Sequence, residues 1–188
     1  MVKRNLFHMV AGSLLPLIGL SITHQIIFWV AVGLAGAAIL LETCRFTFPN
    51  LNRVLFTYFG VLFKEKERQS ITAATYMLIA SVGAFLFLEK SLAILSLLFL
   101  SVGDSSAALV GSRYGRARFF GKSLEGSLVL FAISALIGWL FLLTGQVSPY
   151  WPILVGAAVA ATVELLPLPL DDNLTIPLFA GATMAALL

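Results

Sequence analysis

The sequence has little charge and almost none of the residues that bind metals through sulfur or nitrogen. Its single cysteine, Cys44, excludes an internal disulfide and a cysteine-rich metal site, and we interpret it as a buried apolar residue. The two histidines, His8 and His24, are too few for a histidine-based zinc site. Charged residues make up only 11% of the 188 residues and hydrophobic residues 60%, with a mean hydropathy of +0.99. This composition excludes an ordinary water-soluble domain and indicates a protein whose solvent is the bilayer.

Apolar segments of spanning length follow one another along the whole chain. A spanning helix needs about 20 mostly apolar residues, and we count seven candidates, with six or eight as alternatives. We expect Pro16, Pro167, Pro169 and Pro177 to break or tilt the shorter ones. The predicted fold is all-α: a polytopic membrane helix bundle forming one integral-membrane domain over residues 1–188, whose first helix is retained rather than cleaved. The predicted spans are residues 6–22, 25–42, 71–88, 91–110, 126–144, 151–167 and 173–188.

Residues 46–63 have a different pattern. Apolar and aromatic side chains recur there on one helical face, whereas Asn52 and Arg53 lie off it. The segment follows Pro49 and precedes a charged turn, so we predict an amphipathic helix lying in the membrane interface, with a tilted span as the alternative. The apolar face consists of Leu51, Val54, Leu55, Tyr58, Phe59 and Leu62.

The cations are distributed very unevenly among the connecting segments. With seven spans and a cytoplasmic N-terminus, Lys90 alone falls outside and eleven of the 12 lysines and arginines fall inside. The same orientation brings Asp104, Glu125, Asp171 and Asp172 to the cytoplasmic end, where nucleoside triphosphates are found. The eleven cations are Lys3, Arg4, Arg45, Arg53, Lys64, Lys66, Arg68, Arg113, Arg116, Arg118 and Lys122.

The segment from Gly103 to Leu130 contains the most suggestive chemistry. Asp104 lies at the end of an uncharged apolar helix, where a carboxylate is costly unless it is paired or binds a metal ion. Small neighbours such as Gly103 and Ser105 would let a ligand approach the backbone. A salt bridge from Asp104 to Arg113 or Arg116 is the structural alternative.

Glycines and cations alternate after Asp104. Glycines expose backbone N–H groups and cations match phosphate oxygens, so we predict a polyphosphate site, with a plain positive-inside loop as the alternative. The Gly121-Lys122-Ser123 triplet is not a P-loop, because five residues separate Gly115 from Gly121 and no strand precedes them. Ser123 is instead predicted to cap a helix that begins near Leu124. The alternating residues are Gly111, Arg113, Gly115, Arg116, Arg118, Gly121 and Lys122.

A second acidic group stands before the last apolar segment. The adjacent carboxylates of Asp171 and Asp172 repel each other, and a hard cation such as Mg²⁺ would relieve this. The structural alternative is that Asp172 or Asn173 caps the last helix. Glu42, which can pair with Arg45 at i+3, and also Glu67 and Glu164, are equally consistent with structural or catalytic roles.

Together these motifs resemble the membrane kinases that phosphorylate lipid alcohols: dolichol kinase, phytol kinase and CTP-dependent diacylglycerol kinase. The resemblance covers about residues 4–180, and two of its elements are also similar to CDP-diacylglycerol synthases. It implies CTP as the phosphoryl donor, together with Mg²⁺. The matching elements are Arg4 to His8, Glu42-xx-Arg45, Glu67 with Thr75-Tyr76, Gly103-Asp104-xx-Ala107, Gly111-xxx-Gly115-Arg116, Gly121-Lys-Ser-x-Glu-Gly126, Glu164 and Asp171-Asp-Asn-x-Thr-x-Pro177.

We therefore expect a kinase that acts on a lipid alcohol and a nucleoside triphosphate, surrounded by membrane lipids, without a nucleic-acid partner. A cytidylyltransferase that forms a CDP-lipid and a non-enzymatic transporter are the alternatives. Asp104 with Asp171 or Asp172 would hold Mg²⁺, and Glu125 or the other aspartate would orient the hydroxyl. The lipid tail would enter near residues 46–63. The predicted nucleotide-binding residues are Gly103, Ser105, Gly111, Arg113, Gly115, Arg116, Lys122, Ser123 and Asn173.

Overall fold

The computed structural model describes residues 2–188, which form a helical bundle with one short β-ribbon of two strands, each two residues long. Helix α5, a π-helical turn (Phe99–Asp104) and α6 form one continuous helix, and a 3₁₀ turn (Glu65–Arg68) precedes α4. The elements are α1 (Val2–Ser21), α2 (His24–Thr47), α3 (Pro49–Phe59), α4 (Ala73–Phe87), α5 (Lys90–Leu98), α6 (Ser105–Tyr114), β1 (Arg118–Phe119), β2 (Lys122–Ser123), α7 (Leu124–Leu143), α8 (Trp151–Leu165) and α9 (Asp172–Ala186).

The predicted all-α fold is confirmed apart from the short ribbon. Each of the seven predicted apolar segments is a helix, and α3 lies within the predicted amphipathic segment. Within residues 2–188, three helices are long and apolar enough to cross a membrane: His24–Thr47, Lys90–Tyr114 and Leu124–Leu143. Helices α4 and α8 are shorter apolar helices. Pro16 and Pro177 do not break α1 and α9, since both helices continue through them. Helix α8 ends at Leu165, two residues before Pro167, as expected of a helix-breaking proline.

Helix α5 forms the centre of the bundle. Every residue from Leu92 to Leu98 is buried, because all of them except Ser96 are apolar and Ser96 Oγ donates to the Ala93 carbonyl. Helices α1, α4, α7 and α9 pack around α5 and the π-helical turn. Helix α2 packs against α4, and many of its residues are exposed. Cys44 on α2 is exposed, so the expectation that it is buried was wrong.

The two ends of the bundle differ in charge. Lys90, the cation predicted to lie apart, donates to the Ile22 carbonyl at 2.6 Å, just beyond the C-terminal end of α1. Arg4 lies near the other end of α1, and a helix of 20 residues is about 30 Å long. Arg4 shares that end with Lys64, Arg118 and Lys122, which line a common cavity.

A buried ion pair fixes the connection between α2 and α4. Arg45 donates from Nε to Glu42 Oε2 at 2.7 Å, and its remaining nitrogens donate to the carbonyls of Glu67 and Ser70. Glu42 Oε1 accepts from the Thr72 backbone N–H and from the Thr72 and Thr75 hydroxyls, all at 2.9–3.0 Å. The predicted i,i+3 pair is therefore confirmed, and these polar groups satisfy one another inside the protein.

We expect Glu42→Gln to lower the stability strongly, because it leaves the buried Arg45 guanidinium without its counter-charge. Breaking a buried pair costs about 3–5 kcal/mol, and thermal unfolding of the purified protein in detergent measures the change. The control is Glu65→Gln. The Glu65 side chain is 83% exposed and forms an i,i+3 ion pair with Arg68. Exposed pairs contribute about 0–1 kcal/mol. Similar losses in both variants would contradict a stabilising role for the buried network.

Candidate functional site

A cavity of about 690 Å³ lies at the charged end of the bundle. It is lined by residues of α1, the end of α3 with the segment that follows it, the start of α4, the π-helical turn with α6, the β-ribbon, the end of α8 and the start of α9. One part of its wall is charged and another is apolar. Four carboxylates among the described residues line it: Glu67, Asp104, Glu164 and Asp172.

Asp104 is the last residue of the π-helical turn. Such turns inside α-helices are frequent at functional sites, and this one is flanked by α5 and α6. Within residues 2–188 Asp104 forms no ion pair, so the predicted alternative of a salt bridge to Arg113 or Arg116 is wrong. The charges that act on Asp104 are the carboxylates of Asp172 and Glu164 and the ammonium groups of Lys64 and Lys122.

The β-ribbon brings Lys122 to this acidic group. Phe120 and Gly121 adopt positive φ angles of 50° and 87° at its turn, a conformation that glycine adopts without strain. Lys122 Nζ donates to Asp172 Oδ2 at 2.8 Å and also contacts the Glu164 carbonyl. The basic loop is therefore joined directly to the acidic segment that precedes α9.

The start of α7 confirms the predicted cap. Ser123 Oγ accepts from the Gly126 N–H at 3.1 Å, and α7 begins at Leu124. Gly111 of α6 lies against the same turn, where a Cβ atom would be 2.4 Å from Ser123 Oγ and 3.4 Å from Gly126 Cα. These two glycines therefore let α6 and α7 approach closely beside the cavity, a packing role that the sequence analysis did not predict.

The two aspartates at the start of α9 have different structural roles. Asp171 is the N-cap, since its side chain accepts from the Asn173 N–H at 3.1 Å. The predicted alternative that Asp172 or Asn173 caps this helix was wrong by one residue or two. Asp172 instead faces the cavity, and Asn173 Oδ1 lies 2.6 Å from His8 Nε2 on α1.

Helix α1 contributes a buried amide that the sequence analysis missed. Asn5 is only 6% exposed and lines the cavity, and its Nδ2 has no hydrogen-bond partner among the described residues. Arg4 and His8 lie beside it on the same wall. Arg4, Asn5 and His8 share one helical face at i, i+1 and i+4 of a mostly apolar helix, and this spacing is the signal that could have identified the wall.

Lys64 is a second cavity residue, to which the sequence analysis assigned no role beyond its place among the cytoplasmic cations. Its backbone N–H donates to Glu67 Oε2 at 3.0 Å, and Glu67 Oε1 accepts from the Ala73 N–H. Glu67 is buried, and its carbonyl is held by Arg45. The network around Arg45 therefore also fixes the position of Lys64 on the cavity wall.

About half of the predicted site residues line the cavity, and the others lie outside it. Gly103 packs against α7, where a Cβ atom would be 3.1 Å from Ser134 Oγ. Arg113 is exposed, with its guanidinium 5.5 Å from the Tyr114 ring, and Arg116 is also exposed. The predicted residues that line the cavity are Asp104, Ser105, Gly111, Lys122, Ser123, Asp172 and Asn173, and those that do not are Gly103, Arg113, Gly115, Arg116, Glu125 and Asp171.

Glu125 has a local structural partner. Its Oε1 accepts from the backbone N–H groups of Arg116 and Ala117 at 2.9 and 3.1 Å. These bonds tie the chain between α6 and β1 to the first turn of α7. The carboxylate is therefore used to close the loop, and the residue does not line the cavity.

The cavity offers oxygen ligands that suit Mg²⁺. No three His, Cys, Asp or Glu side chains come together as a metal cluster in the part of the chain that the structure describes. Mg²⁺ does not need such a cluster, because it takes one or two carboxylates and completes its shell with water and substrate phosphates. Asp104 and Asp172 line one cavity and supply that number.

The other part of the cavity wall is apolar and aromatic. It lies between the first two turns of α1, the end of α3 with the residues that follow it, and the first turns of α4. A single cavity thus joins a charged region to an apolar one. The apolar lining residues include Phe7, Ala11, Phe59, Leu62, Phe63, Ala74 and Met77.

Comparisons with known proteins identify relatives of this chain. It is 26% identical over 214 residues to CTP-dependent diacylglycerol kinase 1 of Saccharomyces cerevisiae, covering 100% of the chain and 73% of that protein. It is 27% identical over 158 residues to CTP-dependent diacylglycerol kinase 1 of Schizosaccharomyces pombe, covering 76% of the chain and 72% of that protein. The chain is a distant homologue of CTP-dependent lipid kinases.

Chloroplast proteins also match. The chain is 36% identical over 126 residues to probable phytol kinase 1, chloroplastic, of Oryza sativa subsp. japonica, covering 59% of the chain and 39% of that protein. No family model matches the chain, and no solved structure matches it. The similarity to diacylglycerol kinases and phytol kinases confirms the resemblance seen in the sequence motifs.

Two substitutions of Glu125 separate its loop contacts from a catalytic role. Glu125→Gln keeps an oxygen that accepts from Arg116 and Ala117, so it should preserve the loop, whereas Glu125→Ala removes both bonds. We expect trypsin to cleave the Ala variant at Arg113, Arg116 or Arg118 several-fold faster than the wild type, since each lost bond contributes about 1 kcal/mol. Cleavage of the Gln variant should match the wild type. If the Gln variant keeps a protected loop but loses enzymatic activity, Glu125 has the catalytic role that the sequence suggested.

Proposed function

We propose that this protein transfers the γ-phosphoryl group of CTP to the hydroxyl of a membrane lipid alcohol. The observation that carries the proposal is the cavity in which Asp104, Asp172 and Lys122 stand next to an apolar wall. A kinase with one water-soluble and one lipid substrate needs both surfaces at one site. The similarity to CTP-dependent lipid kinases supports the choice of donor and reaction.

We place this site at the cytoplasmic membrane boundary. The seven apolar helices would span the bilayer with the N-terminus inside, and α3 would lie in the interface. Support comes from the cations of the cavity end, opposite Lys90, because lysines and arginines accumulate on the cytoplasmic side. The large apolar side chains exposed around the bundle, such as Leu40 and Phe87, would then face lipid.

The cavity cations would bind the triphosphate. Lys122, Arg118, Arg4 and Lys64 line the cavity on different elements and can surround phosphate oxygens from several directions. They replace Arg113 and Arg116 in the role that the sequence suggested. Asn5 Nδ2, which lacks a partner within residues 2–188, is a further donor available to the nucleotide.

Asp104 and Asp172 would hold Mg²⁺, which neutralises charge on the phosphates when it is bound. Of the four cavity carboxylates, Glu67 uses both oxygens to accept from backbone N–H groups. Glu164 accepts from Ser127 Oγ through Oε2 at 2.6 Å, and its Oε1 would act on the lipid hydroxyl. The hydroxyl oxygen attacks the γ-phosphorus as the bond from that phosphorus to the β,γ-bridging oxygen breaks. CDP leaves, and the hydroxyl proton passes to Glu164.

Asp104→Asn should reduce phosphoryl transfer at least about 100-fold, the order expected when a group that stabilises transition-state charge is removed. The assay incubates purified protein in detergent with γ-labelled CTP, Mg²⁺ and a panel of lipid alcohols. Asp172→Asn should be comparably inactive. Asp171→Asn is the matched comparison, because asparagine also caps helices well and this residue lies outside the cavity, so we expect it to keep activity.

The destination of the label decides between reaction classes. Label in the lipid supports the kinase, and label only in pyrophosphate indicates a cytidylyltransferase. Absence of nucleotide turnover by the wild type with every alcohol would contradict both enzymatic functions. Wild-type activity in Asp104→Asn would contradict the metal-binding role of Asp104. Loss of activity in Asp171→Asn, with activity kept in Asp172→Asn, would indicate that Asp171 binds the metal ion in place of Asp172.

A further inference from the structure

The apolar part of the cavity has an opening toward the side of the bundle. Phe7 on α1 and Phe59 at the end of α3 both line the cavity, yet they are 51% and 52% exposed. Ala74 in the first turn of α4 also lines the cavity and is exposed. Exposed residues that line a cavity mark its openings, and Ser112, Arg118 and Gly121 mark a second opening at the charged end, beside the β-ribbon. We call the opening formed by Phe7, Phe59 and Ala74 the lateral mouth.

The cavity does not continue deeper into the bundle beside α1. A Cβ atom on Gly12 would lie 3.0 Å from Met77 Sδ on α4 and 3.0 Å from Ser101 Cβ in the π-helical turn. Three elements therefore meet at Gly12 and form a floor. Gly12 is five residues after Phe7, which is about 7–8 Å along the helix. The floor thus lies about one and a half helical turns below the lateral mouth.

The volume of the cavity limits the length of hydrocarbon that it can hold. A cavity of about 690 Å³ is in the range that holds one drug-sized ligand. It has to accommodate phosphates at its charged end, so the space above the floor suits only a short piece of hydrocarbon. A long tail whose hydroxyl reaches Asp104 has no room to continue inward.

Resting on the proposed function, we propose that the hydrocarbon tail of the lipid alcohol leaves the cavity through the lateral mouth and remains in the bilayer. The protein then encloses only the hydroxyl and the carbons next to it. Phe7 and Phe59 flank the tail on either side, and Ala74 is small enough to leave the opening free. Selectivity would depend on the region next to the hydroxyl, and tail length would have little effect.

Closing the mouth tests this path. Ala74→Phe should lower the ratio of kcat/KM for a long-chain alcohol to that for a short-chain, water-soluble alcohol about tenfold, a discrimination typical of a steric change in an apolar site. The matched control is Ala37→Phe, the same substitution at an exposed alanine on α2, away from the cavity. It should leave the ratio unchanged. An unchanged ratio in Ala74→Phe, in protein that still binds labelled CTP, would overturn the proposal.

A second measurement does not depend on turnover. A lipid alcohol with a photoreactive diazirine in its tail is crosslinked to the wild-type protein, with and without excess unlabelled alcohol. We expect competable label on peptides that contain Phe7, Phe59 or Ala74, and weaker label in Ala74→Phe. Label confined to α2 or α7 would reject the lateral mouth. If the wild type shows the expected label but transfers no phosphate, the proposed reaction fails while the tail path stands.

Discussion

The structure depends on how an apolar bundle accommodates acidic side chains at one end. Asp104, Glu164 and Asp172 line one cavity, and carboxylates withdrawn from water cost several kcal/mol unless a charge or hydrogen-bond partner compensates them. Compensation comes from distant parts of the chain: Lys122 on the ribbon reaches Asp172 at 2.8 Å, and Lys64 acts on Asp104 from the segment before α4. The need to bring these charges together explains why the segment before α4, the π-helical turn and the β-ribbon reach the cavity between the ends of the long helices.

Polar groups in this protein fall into two classes according to whether the chain itself satisfies them. Glu42, Arg45 and Glu67 are buried, and every interaction described for them is with another part of the chain, so their role is to fix the connection between α2 and α4. Asp104 has no ion pair and Asn5 Nδ2 has no hydrogen-bond partner within residues 2–188. Glu125 Oε2 and Ser134 Oγ also lack a hydrogen-bond partner within residues 2–188, but neither residue lines the cavity. An unsatisfied polar group therefore indicates a ligand-binding role here only where the residue also lines the cavity, as Asp104 and Asn5 do.

Hydrophobic length predicted the helices well, because an apolar segment in a bilayer has to form a helix to satisfy its backbone. The pattern also predicted the cap by Ser123 and the pairing of Glu42 with Arg45, which are local interactions. Prediction from the sequence failed where the role of a residue depends on the direction in which its side chain faces once distant segments have packed together. Arg113 and Arg118 belong to the same basic stretch, yet only Arg118 lines the cavity. Likewise, Asp171 and Asp172 are neighbours, and the helix boundary alone decides that one caps α9 while the other faces the site.

The π-helical turn links the depth of the cavity to the position of Asp104. Ser101, in the same turn, forms part of the floor with Gly12 and Met77, so the floor and the carboxylate are three residues apart on one element. A shift of this turn would move both together, and the distance from Asp104 to the end of the apolar wall would stay constant. The π-helical turn therefore contributes to both ends of the space beside Asp104, and α1 and α4 complete the floor. The side chains of the lateral mouth come from three other elements and can vary without moving Asp104.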